Sequence, residues 1–134
     1  MDTPQGIVLL DVTPGLEGEF DASFLERTDH PVVMCHGPEV KMLCPLLGGE
    51  GCSKFEMAHG VVFKFDLDRP QHRAILRRYR DLARPDLPIR ALVEPGQEVR
   101  YADLLVDIEV WDHEPTAADL DGFAAEVEAA DRNQ

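Results

Sequence analysis

Three acidic side chains directly follow apolar runs of the chain and are the first candidates for chemistry. Asp11 follows residues 7–10, and Asp66 and Asp68 follow residues 61–65. Carboxylate oxygens are the ligands that Mg²⁺ prefers, although acids at strand ends more often cap the next helix or pair locally. We therefore predict an acidic strand-end site at these three residues, with Mg²⁺ as the cation it would take and local pairing as the favoured alternative. We assign no catalytic residue.

Three cysteines and a histidine form the second candidate site. Thiolates and imidazoles of Cys35, His36, Cys44 and Cys52 are suited to zinc or to an iron–sulfur cluster. Structural zinc sites usually offer pairs of ligands two to four residues apart, whereas eight and then seven residues separate these cysteines. We expect Cys35 and Cys44 to be small buried hydrophobes. Metal or redox use of the four residues is the alternative.

Residues 60–96 read as a strand, a helix and a second strand. Four of residues 61–65 are β-branched or aromatic, and Pro70 suits the first turn of a helix. Apolar residues return at Leu87, Ile89, Ala91, Leu92 and Val93. The predicted helix is amphipathic, with an apolar side and a second side that carries an arginine stripe. The stripe consists of Arg69, Arg73, Arg77, Arg80 and Arg84. A unit of this length predicts a right-handed parallel crossover.

The rest of the chain continues this alternation. Strands are predicted at residues 7–10, 31–34 and 104–111, with a distorted helix at 16–28, a short helix and loop within 38–59, and turns at 95–103. Thr116, with Asp119 three residues later, predicts a capped final helix. The pattern indicates an α/β fold with a five-stranded open parallel sheet between two helical layers. The strand ends then meet at one edge, where ligands of such sheets bind. The polar residues expected there are Asp11, Cys35, His36, Asp66, Asp68, Glu94, His113 and Glu114.

Several segments resemble response-regulator receiver domains. IVLLDVTP is similar to the first strand of that family, FDLDRP to its phosphoacceptor strand with the pattern D-L-x-x-P, and ILRRYRDLARPDLPIRALVEPG to the helix and strand that follow. HEPTAADLDGFAAEVEAA is similar to the last loop and helix. The resemblance implies a flavodoxin-like, receiver-like sheet of strand order 2-1-3-4-5, with the helices after Pro70 and Pro115 on opposite faces. It places Asp11 at the first of two metal-binding acids and Asp66 at the phosphoacceptor.

Three residues depart from the family pattern at the positions that carry its chemistry. Val12 stands where the second acid is expected, Val93 where a hydroxyl residue is expected, and Glu114 where a lysine precedes the proline. Receiver chemistry needs carboxylates for magnesium and a lysine that neutralises the acyl phosphate. The resemblance therefore implies a degenerate receiver-like domain without phosphotransfer.

Composition limits the partners. The 134 residues include 26 acidic and 13 basic side chains, and the net charge of −13 disfavours nucleic acids and anionic membrane surfaces. No apolar run approaches the roughly 20 residues that span a bilayer, and the N-terminus lacks the pattern of a signal peptide. We expect one domain, residues 1–134, in the cytoplasm.

Three classes of function follow. The first is a non-catalytic regulatory or protein-interaction module, whose partner is another protein or a second copy in a salt-sensitive two-fold homodimer. For that dimer we expect a surface that carries Tyr101, Leu105 and Trp111 near the acidic last helix, with the arginine stripe as its neighbour. The second class is the metal-binding or redox protein described above. The third is an enzyme that acts at the strand-end edge through Asp11, Asp66 and His36.

Overall fold

The structure, a computed structural model, describes residues 6–12, 16–27, 30–35, 52–82 and 87–132. Strands and helices alternate throughout these residues. In chain order the elements are β1 Val8–Asp11, α1 Leu16–Arg27, β2 Val32–Cys35, α2 Ser53–Met57, β3 Gly60–Phe63, α3 Pro70–Leu82, β4 Ile89–Leu92, α4 Gln97–Arg100, β5 Glu109–Trp111 and α5 Ala117–Arg132. None of these helices is long and apolar enough to cross a membrane.

The five strands form one parallel sheet in the order β2-β1-β3-β4-β5. The predicted fold class and strand order are confirmed. Asp11 at the end of β1 lies opposite Cys35 of β2 and Phe63 of β3. Because all strands run in one direction, their carboxyl ends meet at a single edge of the sheet, which is called the carboxyl edge below.

Two apolar clusters cover the two faces of the sheet. On one face, Phe63 packs with Tyr79 of α3, whose ring stacks on that of Phe55 of α2 at 4.4 Å between centroids. On the other face, α1 and α5 pack together through residues such as Leu25 and Phe123. The helices after Pro70 and Pro115 therefore lie on opposite faces, as predicted. Val61, Phe63 and Ile89 are buried, as also expected.

The region before β5 differs from the prediction. The strand expected at residues 104–111 begins only at Glu109, because the N–H groups of Leu104 and Leu105 bond back to Tyr101 in a turn. Val106, which the strand pattern predicts to be core, is 51% exposed. Residues 97–100, predicted as turn, form the short helix α4, which starts after Gly96 in a left-handed conformation (φ 88°). Of residues 38–59, where a short helix and a loop are predicted, residues 38–51 lie outside the described residues, and the short helix α2 occurs at Ser53–Met57.

The surface predicted for a two-fold dimer also differs from the structure, in the exposure of its apolar residues and in the position of the arginine stripe. Leu105 and Trp111 are each only 8% exposed, and Trp111 packs on Phe123 with ring centroids 6.3 Å apart. The arginine stripe is not a neighbour of the acidic last helix, because α3 and α5 lie on opposite faces of the sheet. Two side chains of the stripe bond loop carbonyls instead, one in the loop after β3 and one in the turn before β5. Arg73 donates to the Leu67 carbonyl at 2.8 Å, and Arg80 donates to the Val106 carbonyl at 2.5 Å.

Candidate functional site

Asp11 ends β1 at the carboxyl edge but is fully buried. Neither carboxylate oxygen has a hydrogen-bond partner of good geometry among the described residues, and the Tyr79 hydroxyl lies nearby. Burial raises the pKa of Asp11 to about 7, and Tyr79 and the Lys54 charge offset only part of that effect. The Asp11 carboxyl is therefore partly protonated near neutral pH, and a cation that binds it would have to displace that proton.

Asp66 and Asp68 are exposed and pair locally, which agrees with the favoured alternative. Asp66 Oδ1 accepts the backbone N–H of Asp68 at 2.9 Å and the Gln97 amide at 3.1 Å. Asp68 Oδ1 accepts the Tyr101 hydroxyl at 2.7 Å and the Arg100 guanidinium at 2.6 Å. The Tyr101 hydrogen bond contributes most to lowering the pKa of Asp68. Both carboxylates thus connect the loop after β3 to α4 and the turn that follows it.

A lysine, which the sequence patterns did not single out, lies at the centre of this edge. Lys64 directly follows β3, and its Nζ is 2.7 Å from Asp21 Oδ2 on α1 and 2.9 Å from Glu114 Oε2 before α5. The side chains of Lys64 and Asp21 are only 2% and 3% exposed, whereas Glu114 is 50% exposed. Burial acts to lower the pKa of Lys64, but its bonds to the two carboxylates outweigh this and raise that pKa. We call these three residues the Lys64 triad.

Sequence reasoning missed the triad because its members are far apart in the chain. Asp21 and Glu114 are 43 and 50 residues from Lys64, so no spacing pattern joins them. One feature of the sequence could have indicated Lys64. A single lysine directly follows the apolar residues 60–63, at the strand end where the fold collects polar groups, and charged groups at such positions need partners.

The magnesium site implied by the resemblance does not fit the described residues. Among them, no group of three or more His, Cys, Asp or Glu side chains is placed to hold a metal ion. The Asp11 carboxyl is buried, Asp66 is bonded to Gln97, and an ammonium group already lies between Asp21 and Glu114. A divalent cation would have to compete with that ammonium group for the same carboxylates.

The cysteine site is only partly within the described residues. Cys35 ends β2 and Cys52 precedes α2; both are half-buried and pack against the apolar cluster that contains Tyr79. His36 and Cys44 lie outside the described residues. Zinc or iron–sulfur binding by the four residues stays a prediction.

Comparison with known proteins gives matches among solved structures alone, since no family model and no curated protein matches the chain. The chain is similar to a CheY-like response regulator receiver domain protein from Methanospirillum hungatei JF-1, with a TM-score of 0.68 and 13% identity over 97% of this chain and 99% of the other. It is also similar to a response regulator receiver protein from Sinorhizobium medicae WSM419, with a TM-score of 0.65 and 17% identity over 94% and 96% of the two chains. A third similar structure, described as an adenylate cyclase from Rhodopirellula baltica, has a TM-score of 0.67 and 13% identity over 96% and 92%. The chain thus has the fold of response-regulator receiver domains.

Proposed function

We propose that this chain is a non-catalytic regulatory or protein-interaction module built on a receiver-like fold. The observation that supports this proposal most strongly is the Lys64 triad, in which two carboxylates hold the ammonium group of Lys64 at the centre of the carboxyl edge.

Phosphoryl transfer needs positive charge around the transferred group. A metal ion and a lysine normally supply it, because the phosphoryl oxygens carry nearly two negative charges at neutral pH. Lys64 has a single positive charge that already faces two carboxylates, so the triad as a whole is negative. Glu114 also occupies the position where the resemblance places the family's lysine. A phosphoryl group at this edge would be repelled rather than stabilised.

One oxygen of the acid at the phosphoacceptor position, Oδ1 of Asp66, is also engaged. For Asp66 to take a phosphoryl group at Oδ1, it would have to release the Gln97 amide and the N–H of Asp68. Replacing charge-assisted hydrogen bonds costs more than replacing neutral ones. The nearby Asp11 does not supply a fully ionised ligand, because burial raises its pKa to about 7. A module of this kind acts through its surface, on another protein or on a second copy of itself.

Incubation with acetyl phosphate and Mg²⁺ tests the proposal. We expect the intact mass of the protein to stay unchanged, while an active receiver domain in the same reaction gains one phosphoryl group. The Asp66→Asn variant serves as the matched control, since it removes the acid at the phosphoacceptor position. A gain of one phosphoryl group by the wild type that is lost in Asp66→Asn would contradict the proposal.

A further inference from the structure

We propose that copies of this chain associate front to back, with the exposed side of α3 of one copy docked on the α1 and α5 face of the next. The proposal rests on the proposed function, because it names the partner of the interaction module as a second copy. The sequence predicts a two-fold dimer, whereas the contact proposed here is front to back. The symmetry differs because the charged helices lie on opposite faces of the sheet.

The two faces of the sheet carry opposite charge. Helix α3 contains four arginines and one aspartate. On the opposite face, Asp21 of α1 is buried in the Lys64 triad and Glu26 is exposed beside Arg27. Among its described side chains, helix α5 exposes three acids, which are Asp121, Glu126 and Glu128. Since α3 lies on one face and α1 and α5 lie on the other, we call the basic exposed side of α3 the front and the acidic face of α1 and α5 the back. Surfaces of opposite potential attract and orient each other when two copies meet.

Each face also exposes large apolar side chains beside its charges. On the front, Leu82 at the end of α3 is 44% exposed, and Val106, whose carbonyl bonds Arg80, is 51% exposed. On the back, Phe20 of α1 is 51% exposed. Apolar and aromatic anchors surrounded by polar groups are typical of the energetically important centre of a protein contact.

Both faces leave charged groups accessible to a partner. Arg77 is exposed on α3, and Asp121 is exposed on α5. Next to Asp121, a side chain added at Gly122 would meet no atom within 4 Å, so this part of α5 is open surface. Arg77 and Asp121 can therefore pair across the contact without breaking an ion pair to another described residue of their own copies.

The opposite location of the two faces determines the symmetry. In a two-fold dimer the same patch of both copies forms the contact, so a basic and an acidic surface can pair only if they share one side of the molecule. Here they lie on opposite sides of the sheet. Contact between them leaves a free front on one copy and a free back on the other, and further copies can add. The net charge of −13 opposes association at long range, so the contact should be transient.

The experiment measures mass by sedimentation for the full chain and two variants that each block one face. Arg77→Glu reverses a front charge, and Phe20→Asp removes the apolar anchor of the back. Between about 1 µM and about 1 mM, the range of transient contacts, we expect the average mass of the wild type to rise beyond that of a dimer. Each variant alone should stay monomeric, since one of its two faces is blocked. An equimolar mixture should form a dimer and stop there, because only one pair of intact faces remains.

Glu94→Arg is the matched control. Glu94 is exposed at the carboxyl edge and belongs to neither α3 nor the α1 and α5 face. The change alters the net charge by the same magnitude as Arg77→Glu but with the opposite sign, and it leaves both faces intact. The control should associate like the wild type, and circular dichroism should show that all variants fold. A wild type that stops at the dimer, or a mixture that stays monomeric, overturns front-to-back association. A wild type that is monomeric throughout also overturns it, and if that protein takes no phosphoryl group from acetyl phosphate, the proposed function still stands.

Discussion

In the function proposed above, the position of one ammonium group distinguishes the carboxyl edge of this chain from a phosphoacceptor site. Lys64 is almost fully buried with Asp21, and the pair is joined by the half-exposed Glu114. A buried carboxylate that loses its partner retains its desolvation penalty without compensation. We therefore expect Lys64→Met, which keeps the length of the side chain, to lower the free energy of unfolding by about 3 kcal/mol in urea denaturation at pH 7.

Glu114→Gln is the comparison for that variant. Because Glu114 is exposed to water on one side, its pairing with Lys64 contributes little, and we expect a loss below about 1 kcal/mol. Equal losses for the two variants would mean that the Lys64–Asp21 pair is not the buried core of the triad.

Asp11 gives the protein a pH dependence of a definite sign. Its pKa is about 7 in the folded protein and near its ordinary value of about 3.8 in the unfolded chain, so the folded state binds a proton more tightly. The contribution of Asp11 to stability is therefore present at low pH and is lost as the pH rises from about 4 to about 7. We expect Asp11→Asn to flatten this dependence in urea denaturation at pH 5 and pH 8. At pH 8 the variant should be more stable by up to about 4 kcal/mol, since each pKa unit corresponds to about 1.4 kcal/mol.

Asp121→Asn is the control for the pH series. Asp121 is exposed on α5, so its substitution should leave the difference between pH 5 and pH 8 unchanged. Should Asp11→Asn keep the wild-type difference, the carboxyl of Asp11 would not be the group that titrates.

The position of Asp11 at a strand end was predictable from the sequence. Its burial was not, because Tyr79, which lies beside it, is 68 residues away in the chain.

Among the elements, α5 begins as the sequence predicts. The Thr116 hydroxyl accepts the N–H of Asp119 at 3.2 Å, and Asp119 Oδ2 accepts the N–H of Thr116 at 2.9 Å, so the two residues cap the helix reciprocally. We expect Thr116→Ala to lower the free energy of unfolding by about 1 kcal/mol in chemical denaturation, because one cap acceptor is lost. Thr116→Ser keeps a hydroxyl and should lose much less. A comparable loss in both variants would assign the effect to the methyl group rather than to the cap.

Local patterns predict an element when its partners are near in the chain, and they fail when distant contacts decide. The capping box lies within four residues and was read correctly. Leu104 and Leu105 are buried like strand residues, but they reach the core from a turn that Arg80 of α3 holds through the Val106 carbonyl. Helix α4 depends on the Gln97 side chain, which bonds the N–H of Glu94 and the carboxylate of Asp66. No local sequence pattern predicts either the turn that contains Leu104 and Leu105 or helix α4.

At the scale of the molecule, the parallel sheet was predictable from the sequence, whereas the Lys64 triad at its carboxyl edge was not. Five apolar runs separated by helical segments are enough to indicate a parallel sheet, and the segments that resemble receiver domains gave its strand order. The predicted acids do lie at or near the carboxyl edge. What occupies the centre of that edge is the Lys64 triad, which brings together three elements and which only the folded chain reveals.

Magnesium binding tests the central claim most directly, because a cation must enter the carboxyl edge before any phosphoryl group can. We expect an NMR titration of the labelled protein to show no saturable shift of the Asp11, Lys64 or Asp66 amide signals. The titration should extend to about 10 mM Mg²⁺, which exceeds the Kd of weak cation sites in proteins. Saturable shifts at these three amides that disappear in Asp66→Asn would show that the edge holds a divalent cation after all, and would contradict the account.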